Sequence, residues 1–361
     1  MLKILDRYIV KQYLQTFFFV VLVFTLIACV IDFSEKVEDF AKSAITKKEI
    51  LVDYYFNFIP HINNLLFPLY ALISVTFFTS RLAYNSEIIS ILNAGVSFMR
   101  ILRPYMMGAL VITGLHFAMN HYIVPQGNKR RIAVENKYVW TRNDKGKTEH
   151  VHLFLDRETK VYIQFYRKPD TTARDFRVEK FKNGELVSVL KAENAKWKGY
   201  PNHWLLENVQ ERTFNGMHET LKVHKTSVDT TINVTPEDFV RFTNQNEMLN
   251  SFELKKEINK RIERSAGNTK SLEVELSRRS AEPFTIFILT LIGVALAARK
   301  VRGGMGFHLA MAIGIGALYI FVSKFSMTFA ASPLLPATIG VWIPNFIFGA
   351  VAVYLVANAQ R

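Results

Sequence analysis

Six long apolar blocks decide what this chain can fold into. Residues 14–31 (LQTFFFVVLVFTLIACVI) carry no charge at all. Residues 59–80 carry only His61, Asn63 and Asn64 as strongly polar groups, and residues 101–124 only Arg103, His116, Asn120 and His121. A fourth block, 285–298, reaches full length with its flank from about Arg279; the fifth, 306–330, holds one charge, Lys324; the sixth is 337–357. A bilayer core about 30 Å thick is crossed by about 20 apolar residues in a helix. Buried helices of soluble proteins are usually shorter than these blocks, so six membrane-spanning helices are the expectation. The first block does not read as a cleaved signal peptide: it is too long, and Asp32, Phe33, Ser34 and Glu35 follow it where small residues would mark cleavage.

The chain is 50% hydrophobic yet carries 45 Lys and Arg against 31 Asp and Glu, a net charge of +14. Mean hydropathy is +0.11, a value rare in soluble nucleic-acid binders, so no nucleic-acid partner is expected. Disorder is excluded by the apolar content, and a disulfide framework by the single cysteine, Cys29. The positive charge orients the spans. Lys3, Arg7, Lys11, Arg81, Arg100, Arg103, Arg299, Lys300, Arg302 and Arg361 fall on one face, with only Asp6 and Glu87 as acids. By the positive-inside rule that face, with both termini, is cytoplasmic. Residues 125–280 then lie outside the cytoplasm; they hold 30 Lys and Arg and 22 acids, but long loops translocate regardless of charge.

Within this insert the apolar period changes to two: Val151, Leu153, Leu155, then Val161, Ile163, Phe165. Asn183-Gly184 and Asn215-Gly216 between alternating runs are hairpin signals. The expectation is an antiparallel β domain over about 147–235, a sandwich or jellyroll. After Pro236, Asn250 and Glu253 mark a helix start, with helix over 252–266 and a charged helix over 272–279 that runs into the fourth span. The architecture is thus a polytopic α-helical membrane protein with three plus three spans. Residues 1–124 hold the first three, 125–280 the insert and 281–361 the last three.

No catalytic constellation stands out. Residues 267–271 (GNTKS) lack the second glycine of a P-loop and fall on the wrong side of the membrane for ATP. His150 and His152 alternate on a strand with no carboxylate or cysteine framework for a metal. Neither Gly-x-Ser-x-Gly nor His-Glu-x-x-His occurs. The informative short segment is the cytoplasmic loop 81–104. Ser86 is an N-cap candidate, Glu87 falls in the first turn where the helix dipole favours an acid, and Gly95 suits the stop. Ile88, Ile89, Ile91, Leu92 and Val96 give helix 86–94 an apolar face. It reads either as a helix resting in the membrane interface or as one that docks into a cytoplasmic partner. Glu87 is the loop's only acid, amid three arginines.

Leu5-Asp6-Arg7-Tyr8-Ile9 ahead of span one, Ser86-Glu87-Ile88 and Asn93-Ala94-Gly95 in the loop, Val124-Pro125-Gln126-Gly127 after span three and Lys160-Val161-Tyr162-Ile163 in the insert occur in this order. In this the sequence resembles, along essentially its whole length, the LptF/LptG permeases of the lipopolysaccharide-export ABC transporter, with opening residues more like the LptG type. The resemblance implies a non-catalytic subunit of the bacterial inner membrane with a periplasmic β-jellyroll. It pairs with a homologous permease above a cytoplasmic ATPase dimer, so ATP is bound by the partner and the chain holds no cofactor of its own. Ser86, Glu87, Ile88, Leu92 and Arg100 would form the ATPase-coupling surface, Glu87 meeting a basic residue of the ATPase. Lipopolysaccharide would enter laterally between the first and fifth spans, with Phe18 and Phe325 as lipid candidates, and pass to a periplasmic jellyroll bridge protein. Lysines after span one suit lipid phosphates in some relatives. Here residues 32–39 are mostly acidic with Lys36 alone among them, so Lys36, Lys42 and the intramembrane Lys324 are the cationic candidates. Two other readings are a membrane scaffold that transmits force without moving lipid, which needs no large cavity open to the bilayer, and a membrane-embedded transferase, which needs convergent His, Asp or Glu beside the spans.

Overall fold

The computed structural model describes residues 3–139, 149–156, 158–167, 170–199, 202–216, 218–224, 226–236, 245–263, 269–299, 303–332 and 335–359. Lys147, the Gly267 connector, and Lys300, Arg302 and Arg361 of the charge count lie outside them. Two compact units form: Met1–Thr141 with Asn246–Phe252 and Lys270–Arg361, and Arg142–Gln245 with Glu253–Thr269.

Among the described residues, the first unit holds six helices long and apolar enough to cross a membrane. α1 (Ile4–Lys42) runs well past its apolar block. Asp32 with Lys36 and Glu38 with Lys42 form ion pairs four residues apart on that extension, which is how a charged stretch stays helical. The mostly acidic residues 32–39 are therefore helix. A π-helical segment (Glu49–Tyr55) leads into α2 (Phe56–Tyr84). α3 (Glu87–Asn93) follows, then α4 (Phe98–Ala118). The third span continues through a π-helical turn, Met119–Ile123, into α5 (Val124–Val134) and a further π turn, Glu135–Val139. Pro125 does not stop it, because its missing N–H falls in the first turn of α5. The short helix α6 (Gln245–Met248) falls almost wholly in this unit, whereas α7 (Ser251–Glu263) belongs mostly to the second. The last spans are α8 (Lys270–Ala297), α9 (Gly304–Ala330) and α10 (Ala337–Ala359).

The helical core is uneven. The apolar window of the second span is 72% buried, that of the first 11% and of the fifth 22%. Span one enters the main core along one stripe, Ile9, Tyr13, Phe17 and Val20, at the spacing of one helix face, and its extension buries Phe40 against Tyr54 and Phe58. The Tyr13 hydroxyl reaches Thr290 Oγ1 at 2.9 Å, tying span one to span four. On span five the inward residues are Ala312, Gly316 and Tyr319; Ala310, Gly314 and Ala317, a small-residue face in the sequence, point outward.

In the second unit β1 (Glu149–Phe154), β2 (Thr159–Arg167), β3 (Thr172–Lys182), β4 (Glu185–Gly199), β5 (His203–Asn215) and β6 (His218–His224) pair in sequence order, with β7 (Val228–Thr231) also on β5. Asn183 and Gly184 turn with φ of 53° and 85°, as a two-residue hairpin requires. The antiparallel β domain is present, but its strands form one continuous meander. β1 to β6 each lie beside the strand before, and β7 returns to β5. Trp204 and Phe176 stack at 5.6 Å in its core, and Trp204 Nε1 donates to the Val234 carbonyl at 2.8 Å.

A crease crosses this sheet. Pairing steps from Val151↔Ile163 to Glu149↔Phe165, from Ile163↔Phe176 to Phe165↔Arg174, from Phe176↔Ala192 to Arg174↔Asn194, and from Ala192↔Val209 to Asn194↔Glu207. The skipped residues, His150, Gln164, Asp175, Glu193 and Asn208, lie in one transverse row. On alternate strands they adopt left-handed backbone: His150, Asp175 and Asn208 have φ of 47°, 48° and 53°. The inward residues on either side are consequently three apart rather than two: Ile163 and Tyr166, Ala173 and Phe176, Ala192 and Ala195, Leu206 and Val209. Two successive rows face outward there, polar apart from Phe165.

Candidate functional site

With six spans, α3 lies at the end that carries the termini. Its seven residues close with a left-handed Gly95 (φ 83°): Gly95 N–H donates to Leu92 O and Val96 N–H to Ile91 O, the paired bonds of a Schellman stop. Ser86 stands at the N-cap position, but with φ of 62° its hydroxyl makes no capping bond. Glu87 accepts from Asn85 Nδ2 at 3.2 Å and makes no ion pair among the described residues. The expected apolar face divides in two. Ile88 is buried in the helical core, with Ile91 and Val96 packed against it, whereas Ile89 and Leu92 are exposed. Ile88 therefore anchors α3 to its own chain and is not presented outward. Arg100 is also committed internally: its Nη1 and Nη2 donate to Asp6 Oδ1 and Oδ2 at 2.8 and 2.7 Å.

At the opposite end Lys36 is not a free cation. Its Nζ meets Asp32 Oδ1 at 2.7 Å, Glu135 Oε1 at 3.1 Å and the Tyr54 hydroxyl, and lies over the Tyr54 ring. Arg131 Nη1 supports Glu135 at 3.0 Å. Two carboxylates thus answer the single lysine, so Lys36 joins spans one, two and three and offers no surplus charge to a lipid phosphate. Lys42 is exposed and paired with Glu38.

Lys324 stands apart. It lines a cavity of about 110 Å³ with His61, Asn64, Glu247, Glu275 and Arg278. Arg278 is held by Glu275 at 2.9 Å and Glu282 at 2.7 Å. Arg279 is held by Glu275 at 2.8 Å and by the carbonyls of Leu249 and Asn246. Lys324 has no ion pair among the described residues, and the buried Asn64 Oδ1 is unpartnered. Burial, with Glu275 nearby, pushes the Glu247 carboxyl above its ordinary value. The Glu275–Glu282 cluster was missed from sequence, although its acids and arginines are spaced three and four apart, the helix-pair signature. Asn63 accepts from Thr25, and Asn345 accepts from Thr285, so these intramembrane amides bond between helices. Among the described residues no three His, Cys, Asp or Glu side chains group as metal ligands.

Phe18 on the first span and Phe325 on the fifth are 53% and 58% exposed. Both lie on the apolar faces that the chain itself leaves uncovered. The structure thus combines two weakly buried spans, an outward α3 surface of Glu87, Ile89 and Leu92, and an inserted β domain. No curated protein matches the sequence. The family model of the lipopolysaccharide export system permease LptF/LptG matches residues 7–358, nearly the whole chain, and the protein belongs to that family.

Proposed function

We propose that this chain is one permease subunit of an ABC-type exporter that lifts lipopolysaccharide out of the inner membrane, driven by a separate ATPase dimer. The family match carries this reading, and the uneven burial of the spans supports it. Apolar windows only 11% and 22% buried on spans one and five supply faces that a homologous permease and the acyl chains of a lipid would cover. Both termini and α3 lie in the cytoplasm, the side to which the short-loop positive charges point, and the β domain is periplasmic, where it passes the lipid to a jellyroll bridge protein. Glu87, with no basic partner among the described residues, meets a basic residue of the ATPase, while Ile89 and Leu92 join Ser86 in the contact. Lys324 is the cation best placed to meet an anionic headgroup, because the arginines beside it are already paired. The LptG-type role rests on the opening residues 5–9. The test is co-purification of the full chain with an ATPase, followed by Glu87→Ala. Association and stimulated hydrolysis in the parent, lost in the variant, support the reading; an unchanged variant removes the coupling role of Glu87.

A further inference from the structure

Arg100 and Asp6 form a two-pronged ion pair at 2.8 and 2.7 Å. Asp6 is 5% exposed and the Arg100 side chain 29%. Their positions in their helices differ in kind. Asp6 is in the first turn of α1 and accepts the Lys3 backbone N–H at 3.1 Å, where the helix dipole favours an acid. Arg100 is in the first turn of α4, with its N–H and that of Ile101 donating to Ser97 O. A cation there opposes the dipole of its own helix, so helix electrostatics do not account for it; the carboxylate on span one does.

The path into Arg100 is stiff. α3 is anchored by Ile88, closed by the paired bonds at Gly95 and Val96, and joined through Ser97 to α4. Phe98 and Ile101 of that first turn, and Leu102 just after it, are buried in the helical core. Span one, by contrast, meets the apolar core along the Ile9 to Val20 stripe, is tied again beyond its apolar block by Lys36 and Phe40, and leaves most of its apolar window uncovered. A bidentate guanidinium–carboxylate pair fixes orientation as well as distance. It is the polar fastening between the first turn of span one and the helix that leaves α3.

We propose that Asp6–Arg100 is a strut that transmits displacement of the α3–α4 elbow to span one, making both of them positioning residues for transport and neither of them ATPase contacts. This rests on the reading of α3 as the ATPase-docking helix. The assay uses the full chain co-expressed with its ATPase and partner permease, reconstituted in liposomes with lipopolysaccharide. ATPase association, hydrolysis and lipid released per ATP are measured separately, alongside thermal unfolding of each complex. Asp6→Asn and Arg100→Gln are expected to keep ATPase association and hydrolysis while lipid released per ATP falls about fivefold or more, the usual scale of coupling between sites. The exchanged pair Asp6→Arg with Arg100→Asp is expected to recover most of that loss. Single variants with undiminished lipid per ATP overturn the strut. So does an exchanged pair that assembles and hydrolyses ATP without recovery, and so does loss of ATPase association in the single variants, which makes Arg100 a docking residue. If no ATPase associates with the parent complex, the docking reading of α3 has failed, an outcome separate from these and one that takes the strut with it.

Discussion

Lys36 on the first span lies 3.1 Å from Glu135 at the end of the third, ninety-nine residues away in sequence. The side chains are 15% and 3% exposed, and Asp32, Tyr54 and Arg131 complete the cluster. Removing one partner from such a cluster strands charge that water does not reach. Glu135→Ala is expected to cost about 3 kcal/mol, because both Lys36 and Arg131 lose a carboxylate. Lys36→Met takes the cation from Asp32, but the Tyr54 hydroxyl still donates to Asp32 and Arg131 still holds Glu135, so the cost is expected to be smaller. Thermal unfolding in detergent ranks the two. It also separates a stabilising role from lipid capture: at a temperature where the variant stays folded, Lys36→Met is expected to release lipid normally.

The crease in the sheet gives a second expectation. Asn208 sits at φ 53° and donates to Glu193 Oε2 at 2.6 Å. Asn tolerates left-handed backbone, whereas a β-branched residue there loses about 1–2 kcal/mol. Asn208→Val is therefore expected to lower the unfolding midpoint, and Asn208→Gly to leave it nearly unchanged, as read by Trp fluorescence. Equal effects of the two would mean that the Glu193 bond, and not the backbone, sets the cost.

These two sites mark how far the sequence alone could lead. The spans were readable because about 20 apolar residues in a row have one good solution in a bilayer. Asn183-Gly184 was readable because few other dipeptides supply two successive positive φ angles. The Lys36 cluster was not, because its partners come from three spans and only folding brings Asp32, Tyr54 and Glu135 together. The crease was half visible: Ala192 and Ala195, or Leu206 and Val209, are three apart on strands that otherwise alternate, yet a single such slip reads as an irregularity. Five strands slipping at one level become a feature only when the register is known. The family resemblance put Arg100 on the coupling surface with Glu87. Nothing local reveals that Asp6, at the other end of two spans, already holds it.

Asp175 supplies the acid-side expectation. The Arg177 guanidinium, 2.6 Å away, holds its carboxyl below the ordinary value, with Lys191 at 3.4 Å assisting. A carboxyl whose folded pKa is depressed contributes stability that is complete above the unfolded value, near 3.9, and is lost as pH falls through the folded one. Arg177 is more than a third exposed, so solvent screening limits the contribution to about 1 kcal/mol or less. Asp175→Asn keeps a residue that tolerates φ 48° while removing the charge. It is expected to lower stability at neutral pH and to flatten the loss of stability below about pH 4. Amide hydrogen exchange in β3, followed against pH in the full chain, reads both; an unchanged acid limb sinks the assignment.

Two glycines on the last two spans are expected to behave in opposite ways. A Cβ on Gly340 would meet the Ala330 side chain and, at 2.8 Å, Ala330 Cα, so the obstacle includes backbone that cannot rotate aside. The Ser326 hydroxyl also donates to the Gly340 carbonyl, which holds the two spans in contact where the chain turns from the fifth to the sixth. Gly340→Ala must push these helix ends apart, at a cost of about 1–3 kcal/mol as overpacking. Gly314 on the same fifth span has nothing within 4 Å of an added Cβ and lies on the outward face. Within this chain Gly314→Ala adds a methyl group without a clash, so unfolding of the isolated subunit is expected to be unaffected or slightly strengthened. The same substitution in the assembled transporter reads the outer face directly. If a paired permease packs closely against Ala310, Gly314 and Ala317, Gly314→Ala weakens co-purification of the two subunits while leaving the isolated chain intact; if lipid alone covers that face, both measurements stay at the parent value.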